Sequence, residues 1–126
     1  MTLSMEDRIA ITDLIHLHGH LVDRSDFAGL RAVFAEDVVY DVRALGGGVL
    51  DGVDGMRAAA EALGDAGPVA HHVTNVVLSE SPDGSVRALS KGLGVLRDGR
   101  VGSVAYDDTV RRLSDGWRIT HRVITR

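Results

Sequence analysis

Cysteine is absent from the 126-residue chain. That excludes disulfides, thiolate metal sites and a cysteine nucleophile. An excess of basic residues is absent too: 14 Lys and Arg stand against 18 Asp and Glu, a formal net charge of −4. The arginines are scattered, so the basic stripe of a nucleic-acid-binding protein is missing. No apolar run approaches the ~18 residues that a membrane span needs. Met1 to Asp7 is short, polar and acidic, unlike a secretory leader. These absences point to a cytoplasmic protein with no nucleic-acid or membrane partner. There is no internal repeat and no low-complexity segment. Gly46-Gly47-Gly48 comes nearest, and it lacks the Lys-Ser/Thr of a phosphate loop, so it reads as a plain loop with no nucleotide role.

What is present suits one soluble domain spanning 1–126. Hydrophobic residues make up 44% and charged residues 25%, both ordinary for a globular protein. The length allows one core and leaves little room for a second. Ser4-Met5-Glu6-Asp7 has a capping hydroxyl three residues before a carboxylate and opens a helix. From Ile9 to about Val22, apolar residues recur at helical spacing. Leu17, Ala10, Leu21, Leu14, Ile11, Val22 and Ile15 form one arc at about 100° per residue, and His18 falls in its middle. His16 and His20 fall on the polar side, and Asp23 lies off the arc if the helix stays regular.

Asp23 to Asp26 breaks the helix, and a second helix is expected over Phe27 to Ala35, capped by Asp26. Val38 to Val42 reads as a strand, with Val49-Leu50 as a short return. Asp54 is expected to cap a third helix, Gly55 to Leu63. The remainder reads as sheet, with strands Val69–Ser79, Val86–Arg97, Val101–Leu113 and Trp117–Thr125. The Asp98-Gly99 and Asp115-Gly116 turns signal tight hairpins. Helices followed by long hairpin strands define an α+β fold.

The strand Ala70-His71-His72-Val73-Thr74-Asn75-Val76-Val77 carries the most unusual residues. Alternation puts His71, Val73, Asn75 and Val77 on one face and His72, Thr74, Val76 and Leu78 on the other. Only one of the two histidines therefore faces a given cavity, and His72 reads as structural on the opposite face. Arg122 shares a face with Arg118, Thr120 and Ile124 by the same count, which leaves an external salt bridge open as its role. Asn75 is expected to line the pocket or to brace a neighbouring strand. Tyr40 and Trp117 read first as packing residues, with Tyr40 also placed on the pocket wall. Although the chain has six histidines, His16, His18 and His20 spread around the helix and His71 and His72 point apart. No metal site is expected.

Taken in order, several segments together resemble the SnoaL-like branch of the NTF2-like superfamily. They are Ile11-Thr12-Asp13-Leu14-Ile15, Leu21-Val22-Asp23-Arg24-Ser25-Asp26-Phe27, Leu30 to Val38, Gly52 to Met56, His71 to Asn75, and Asp115-Gly116-Trp117-Arg118-Ile119. The resemblance covers nearly the whole chain. It implies a cone: a curved antiparallel sheet wrapped around three helices, enclosing a deep pocket. In the scytalone-dehydratase-like and dehydrochlorinase-like members, an aspartate at the end of the first helix orients a histidine that removes a proton from carbon. Asp23 and His71 match these two. Arg122, five residues past Trp117, matches an arginine of the dehydrochlorinase-like pattern, and His18 stands where that pattern has a cationic lysine. Val22 replaces the tyrosine that precedes the aspartate in scytalone dehydratase and is expected on the pocket wall.

A neutral imidazole is a competent base near neutral pH, and general-base catalysis contributes roughly 10²–10⁴-fold. A cation such as Arg122 or a protonated His18 would stabilise negative charge developing on an enolate or leaving group. The resemblance thus implies a lyase or isomerase (a dehydratase, eliminase or cyclase) acting on an apolar small molecule, with no cofactor required. The alternative is a non-catalytic small-molecule-binding or dimerising protein. A homodimer or homotrimer is expected, because the outer sheet face carries apolar residues.

Overall fold

The computed structural model describes residues 2–126. Helix α1 spans Met5–Asp23 and begins as the sequence predicts. The Ser4 hydroxyl accepts from the Asp7 backbone N–H at 3.0 Å, and the Asp7 carboxylate accepts from the Ser4 N–H at 3.4 Å. This reciprocal pair satisfies two of the free N–H groups at the helix start. Asp7 also accepts from the Trp117 indole N–H at 3.2 Å and from Arg112, which ties the start of the first helix to the last strand. The bond from Trp117 leads the interactions that hold the Asp7 carboxyl below the usual range.

Strand β1 (Phe34–Asp41) and the short β2 (Val49–Asp51) come next, then helix α2 (Gly52–Leu63). Four long strands complete the chain: β3 (Ala70–Glu80), β4 (Val86–Val95), β5 (Val101–Leu113) and β6 (Gly116–Thr125). They form one six-stranded curved sheet in the order β2-β1-β6-β5-β4-β3. All neighbours pair antiparallel except β1 and β6, which run parallel. The core lies between the helices and the inner sheet face, with Ile11, Ile15, Leu30, Val33, Phe34, Val38, Val110 and Ile119 all buried.

Three expectations need correction. The second helix is only a 3-10 segment, Ala28–Ala32. The cap position belongs to Phe27, and the Asp26 carboxylate, one residue earlier, accepts from Gly29 N–H at 3.0 Å. Val33 and Phe34 then leave it, because Val33 C=O accepts from Ile119 N–H and Phe34 pairs with Ile119 across the sheet. The cone therefore holds two α-helices and short 3-10 turns rather than three α-helices. Asp54 lies in the first turn of α2, where it accepts from Arg31 at 3.2 Å, while the cap position belongs to Asp51.

The third correction concerns alternation. A bulge in β3 shifts the register between Thr74 and Val77. Asn75 is the extra residue: it is exposed and adopts φ 59°, in the left-handed region. Beyond it the faces exchange. Val76 and Leu78 pack on the core, and Val77 is 62% exposed. A one-residue insertion moves every later side chain to the other face. Asn75 therefore lines no pocket. Asparagine tolerates the left-handed conformation that costs other residues with a Cβ roughly 1–2 kcal/mol. Asn75→Val should lower the unfolding free energy by about that amount, and Asn75→Gly should leave it nearly unchanged, as read by urea denaturation.

Candidate active site

The site begins where α1 crosses the edge of the sheet. β3 is an edge strand, and every second backbone N–H of such a strand points away from its partner. At His71 that outward N–H donates to Asp23 Oδ2 at 3.0 Å. The His71 ring folds back so that Nδ1 lies 2.7 Å from Asp23 Oδ1. A carboxylate only accepts, so Nδ1 carries the proton in the neutral ring and Nε2 keeps its lone pair. One carboxylate thus fixes both the backbone and the tautomer of His71. Both side chains are partly open to solvent, 19% for His71 and 26% for Asp23.

Gly19 makes this meeting possible. A Cβ on Gly19 would lie 2.8 Å from the His71 carbonyl oxygen, so a side chain there would force the helix off the strand. Asp23 lies off the apolar arc, as the helical count places it. The helix runs regularly to Asp23, and that flank of it faces the open edge of β3 rather than the core.

Deeper inside, Arg122 and Asp108 form a buried ion pair with no exposed side-chain surface. Arg122 donates from Nε to Asp108 Oδ1 at 2.7 Å and from Nη2 to Oδ2 at 2.8 Å. Burial pulls the Arg122 pKa down, but the charge and hydrogen bonds of Asp108 outweigh it and leave the guanidinium more firmly protonated than usual. Arg122 faces inward because of a second bulge. The β5–β6 register shifts between Thr109 and Val110, which leaves Thr120 as the extra residue. Trp117 and Ile119 are buried before it, and Arg122 and Ile124 after it. Arg122 therefore does not share a continuous face with Arg118 and Thr120, and it makes no external salt bridge.

His18 links the two levels. Arg122 Nη1 donates to His18 Nδ1 at 3.3 Å. A guanidinium only donates, so Nδ1 is the acceptor and the proton sits on Nε2. His18 is buried at 3% exposure. Burial, then the charge of Arg122, then His71 hold its pKa well below 6.5. It is thus a neutral imidazole, not the cation that the match to a lysine implied. Its ring lies 6.3 Å from that of His71 and packs edge-on against Phe34 and Tyr106. The Arg122 guanidinium stacks 4.1 Å from the Tyr106 ring and 5.2 Å from that of Phe34. Tyr40 packs against Phe34 at 5.9 Å; burial raises its phenol pKa, and Arg122 opposes that rise.

The fold therefore brings together Asp23, His71, His18, Arg122 and Tyr40. Val22 is half-buried against the core, and Asn75 is outside on its bulge. Sequence reasoning missed Asp108 and Tyr106. The signal was available: an acidic residue alternating with Tyr106 and Val110 on β5 has to meet a cation if that face is buried. Two surface grooves lie elsewhere. One, of about 490 Å³, runs along the outer side of α1 past Asp13, His16 and His20 to Trp117 and Arg118, and the other sits at the β3–β4 turn. Neither includes the dyad or the ion pair. Among the described residues, no group of three or more His, Asp or Glu side chains could hold a metal ion.

Comparison with known proteins agrees with this architecture. Residues 3–123 match the family model of the SnoaL-like domain, and the chain belongs to that family, within the NTF2-like superfamily. It is 30% identical to the uncharacterized protein Rv2910c of Mycobacterium tuberculosis (strain ATCC 25618 / H37Rv), over 97% of this chain and 86% of that one. Among solved structures, Aln2 from a Streptomyces species is 28% identical with a TM-score of 0.79, covering 100% of this chain and 94% of that one. An NTF2-like protein with a cystatin-like fold from Novosphingobium aromaticivorans is 27% identical with a TM-score of 0.73, covering 96% and 82%.

Two outcomes follow from the buried groups. Removing one member of a buried ion pair strands the other, so Asp108→Ala should cost about 3–5 kcal/mol in chemical denaturation. His18 has a lower pKa folded than unfolded. As pH falls below about 6.5, the unfolded chain takes up a proton that the folded one refuses, and stability is lost. Replacing it by His18→Gln should flatten the fall in stability measured between pH 7 and pH 5.

Proposed function

We propose that this protein is a small enzyme that needs no cofactor and abstracts a proton from carbon of an apolar, cyclic small molecule, as a lyase or isomerase. His71 is the general base, acting through Nε2. Asp23 holds it in the required tautomer and stabilises the imidazolium that forms. Arg122 and His18 are the electrostatic partners at the inner end of the site. Tyr40 and Val22 contribute to the wall. The observation that carries this reading is the double engagement of Asp23 with the backbone N–H and Nδ1 of His71. A histidine placed only for packing has no need of a carboxylate that holds both its backbone N–H and its Nδ1.

The chemistry follows from position. The dyad lies at the partly open rim, and the ion pair lies beneath it with no exposed surface. A substrate entering at His71 meets the base first and the positive potential of Arg122 ahead of it. Negative charge that develops on proton removal forms in a region of low dielectric, where that potential acts most strongly.

The test is a turnover screen of dehydratable and isomerisable cyclic compounds with the wild-type protein, His71→Ala and Asp23→Asn. Both variants should retain the thermal midpoint to within a few degrees. Activity should fall by about 10²–10⁴-fold in each. In ¹⁵N spectra of the wild type, His71 should show Nδ1–H and a bare Nε2. Binding of small apolar molecules without any turnover by the wild type would instead make the protein a carrier.

A further inference from the structure

Helix α1 turns His18 inward and carries two more histidines outward. His16 and His20 are exposed, whereas His18 is 3% exposed. At about 100° per residue, His16 and His20 sit about 40° apart on one flank, with His18 on the opposite side. Four residues of α-helix rise about 6 Å, and Cβ atoms at that spacing lie about 5–6 Å apart. Helical side chains lean toward the N-terminus, so the ring of His20 leans over the turn that carries His16. Two imidazoles in this relation can close on one ion at metal–nitrogen distances of about 2.0–2.1 Å. Both rings are available for it. Among the described residues, the histidine ring hydrogen bonds belong to His18 and His71, and His16 and His20 have none.

The surroundings favour a cation. Asp13, exposed one turn before His16 on the same flank, adds negative charge. His20 lies in the last turn of α1, where unpaired carbonyls carry the negative end of the helix dipole. Asp13, His16 and His20 all line the groove of about 490 Å³ that reaches Trp117 and Arg118. The Arg118 guanidinium is already engaged by Asp115 and by the carbonyls of Arg31 and Trp117. We propose that His16 and His20 form a two-point site for a divalent transition-metal ion of the copper and zinc class, with water in its other positions. Asp13 acts through its charge and not as a third ligand, since no three His, Asp or Glu side chains among the described residues are grouped to hold an ion. The ion sits on the flank opposite His18, apart from the proton chemistry assigned to His71.

The site has a mechanical consequence. Gly19 lies inside the turn that the two histidines close, and Asp23 follows His20 by three residues. Glycine weakens a helix interior, yet this one is required, because a Cβ there would lie 2.8 Å from the His71 carbonyl oxygen. An ion held by both histidines needs their helical spacing and is lost when the turn opens. It therefore clips the weak turn and steadies the helix end that carries Asp23. Two imidazoles and water impose little geometry, so affinity follows the general order for nitrogen ligands, with Cu²⁺ above Zn²⁺. Mg²⁺ prefers oxygen ligands and gains nothing here.

The test titrates tag-free protein at pH 7.5 with CuCl₂, ZnCl₂ and MgCl₂. Binding is read by calorimetry and by the fluorescence of Trp117, the one tryptophan of the chain, which lines the same groove. Wild type should bind one Cu²⁺ per chain with quenching of Trp117, bind Zn²⁺ more weakly and ignore Mg²⁺. Saturating Zn²⁺ should raise the thermal midpoint by several degrees, since an ion that binds only the folded turn stabilises it by mass action. His16→Ala and His20→Ala should each weaken Cu²⁺ at least about tenfold, through loss of the second attachment, and should abolish the rise in midpoint. His72→Ala and His121→Ala should leave Cu²⁺ binding unchanged. Alanine suits exposed helix positions, and circular dichroism checks that both helix variants fold. Undiminished Cu²⁺ affinity in His16→Ala or His20→Ala would overturn the proposal. So would loss of the ion in His71→Ala, which would put it at the dyad. No binding of either metal by wild type up to millimolar concentration, or binding with an unchanged midpoint, would overturn it as well.

Discussion

The candidate site depends on one carboxylate at the end of one helix. Asp23 accepts from the backbone and from the ring of His71, 48 residues later in the chain. The strand at the sheet edge has donors that no neighbouring strand can use, and the helix terminus supplies the acceptor. One contact therefore serves both needs. It closes an open edge, which is a structural requirement, and it fixes the tautomer of a histidine, which is a chemical one. Gly19 is the condition for it, since any side chain there would separate helix from strand.

The inner end of the site is governed by different physics. An arginine and an aspartate with no exposed side-chain surface lose most of their hydration, and mutual attraction returns that loss only when the geometry is good. The two short parallel hydrogen bonds provide such geometry. The guanidinium is then surrounded by groups that respond to it without being charged: the His18 ring, which accepts one N–H, and the faces of Phe34 and Tyr106. The result is a buried guanidinium matched by Asp108, with no bare cation at the surface.

Much of this was legible in the sequence, and the misses have physical causes. The capping box, the four long strands and the two Asp-Gly hairpins follow from local chemistry, and local chemistry sets them in the structure. Asp23 and His71 were paired only through the resemblance, because the helical wheel alone placed Asp23 off the core face. Asn75 and the facing of Arg122 were misread for one shared reason. Each strand carries a bulge, and strict alternation fails one residue beyond it. The predicted second helix ended early because Val33 and Phe34 gain more from pairing with β6 than from another helical turn. Asp108 and Tyr106 were missed because their meaning lies in what faces them across the sheet, which no single strand displays.

The Arg122–Asp108 pair also limits how such a chain can change over generations. A single replacement at either position strands an unpaired charge in the interior, so the first step of any exchange passes through a crippled fold. The two positions are free to vary only as a unit, most easily to a pair of apolar residues of similar volume. Descendants that keep the scaffold but lose this pair should therefore differ from this chain at both positions at once, rather than at one.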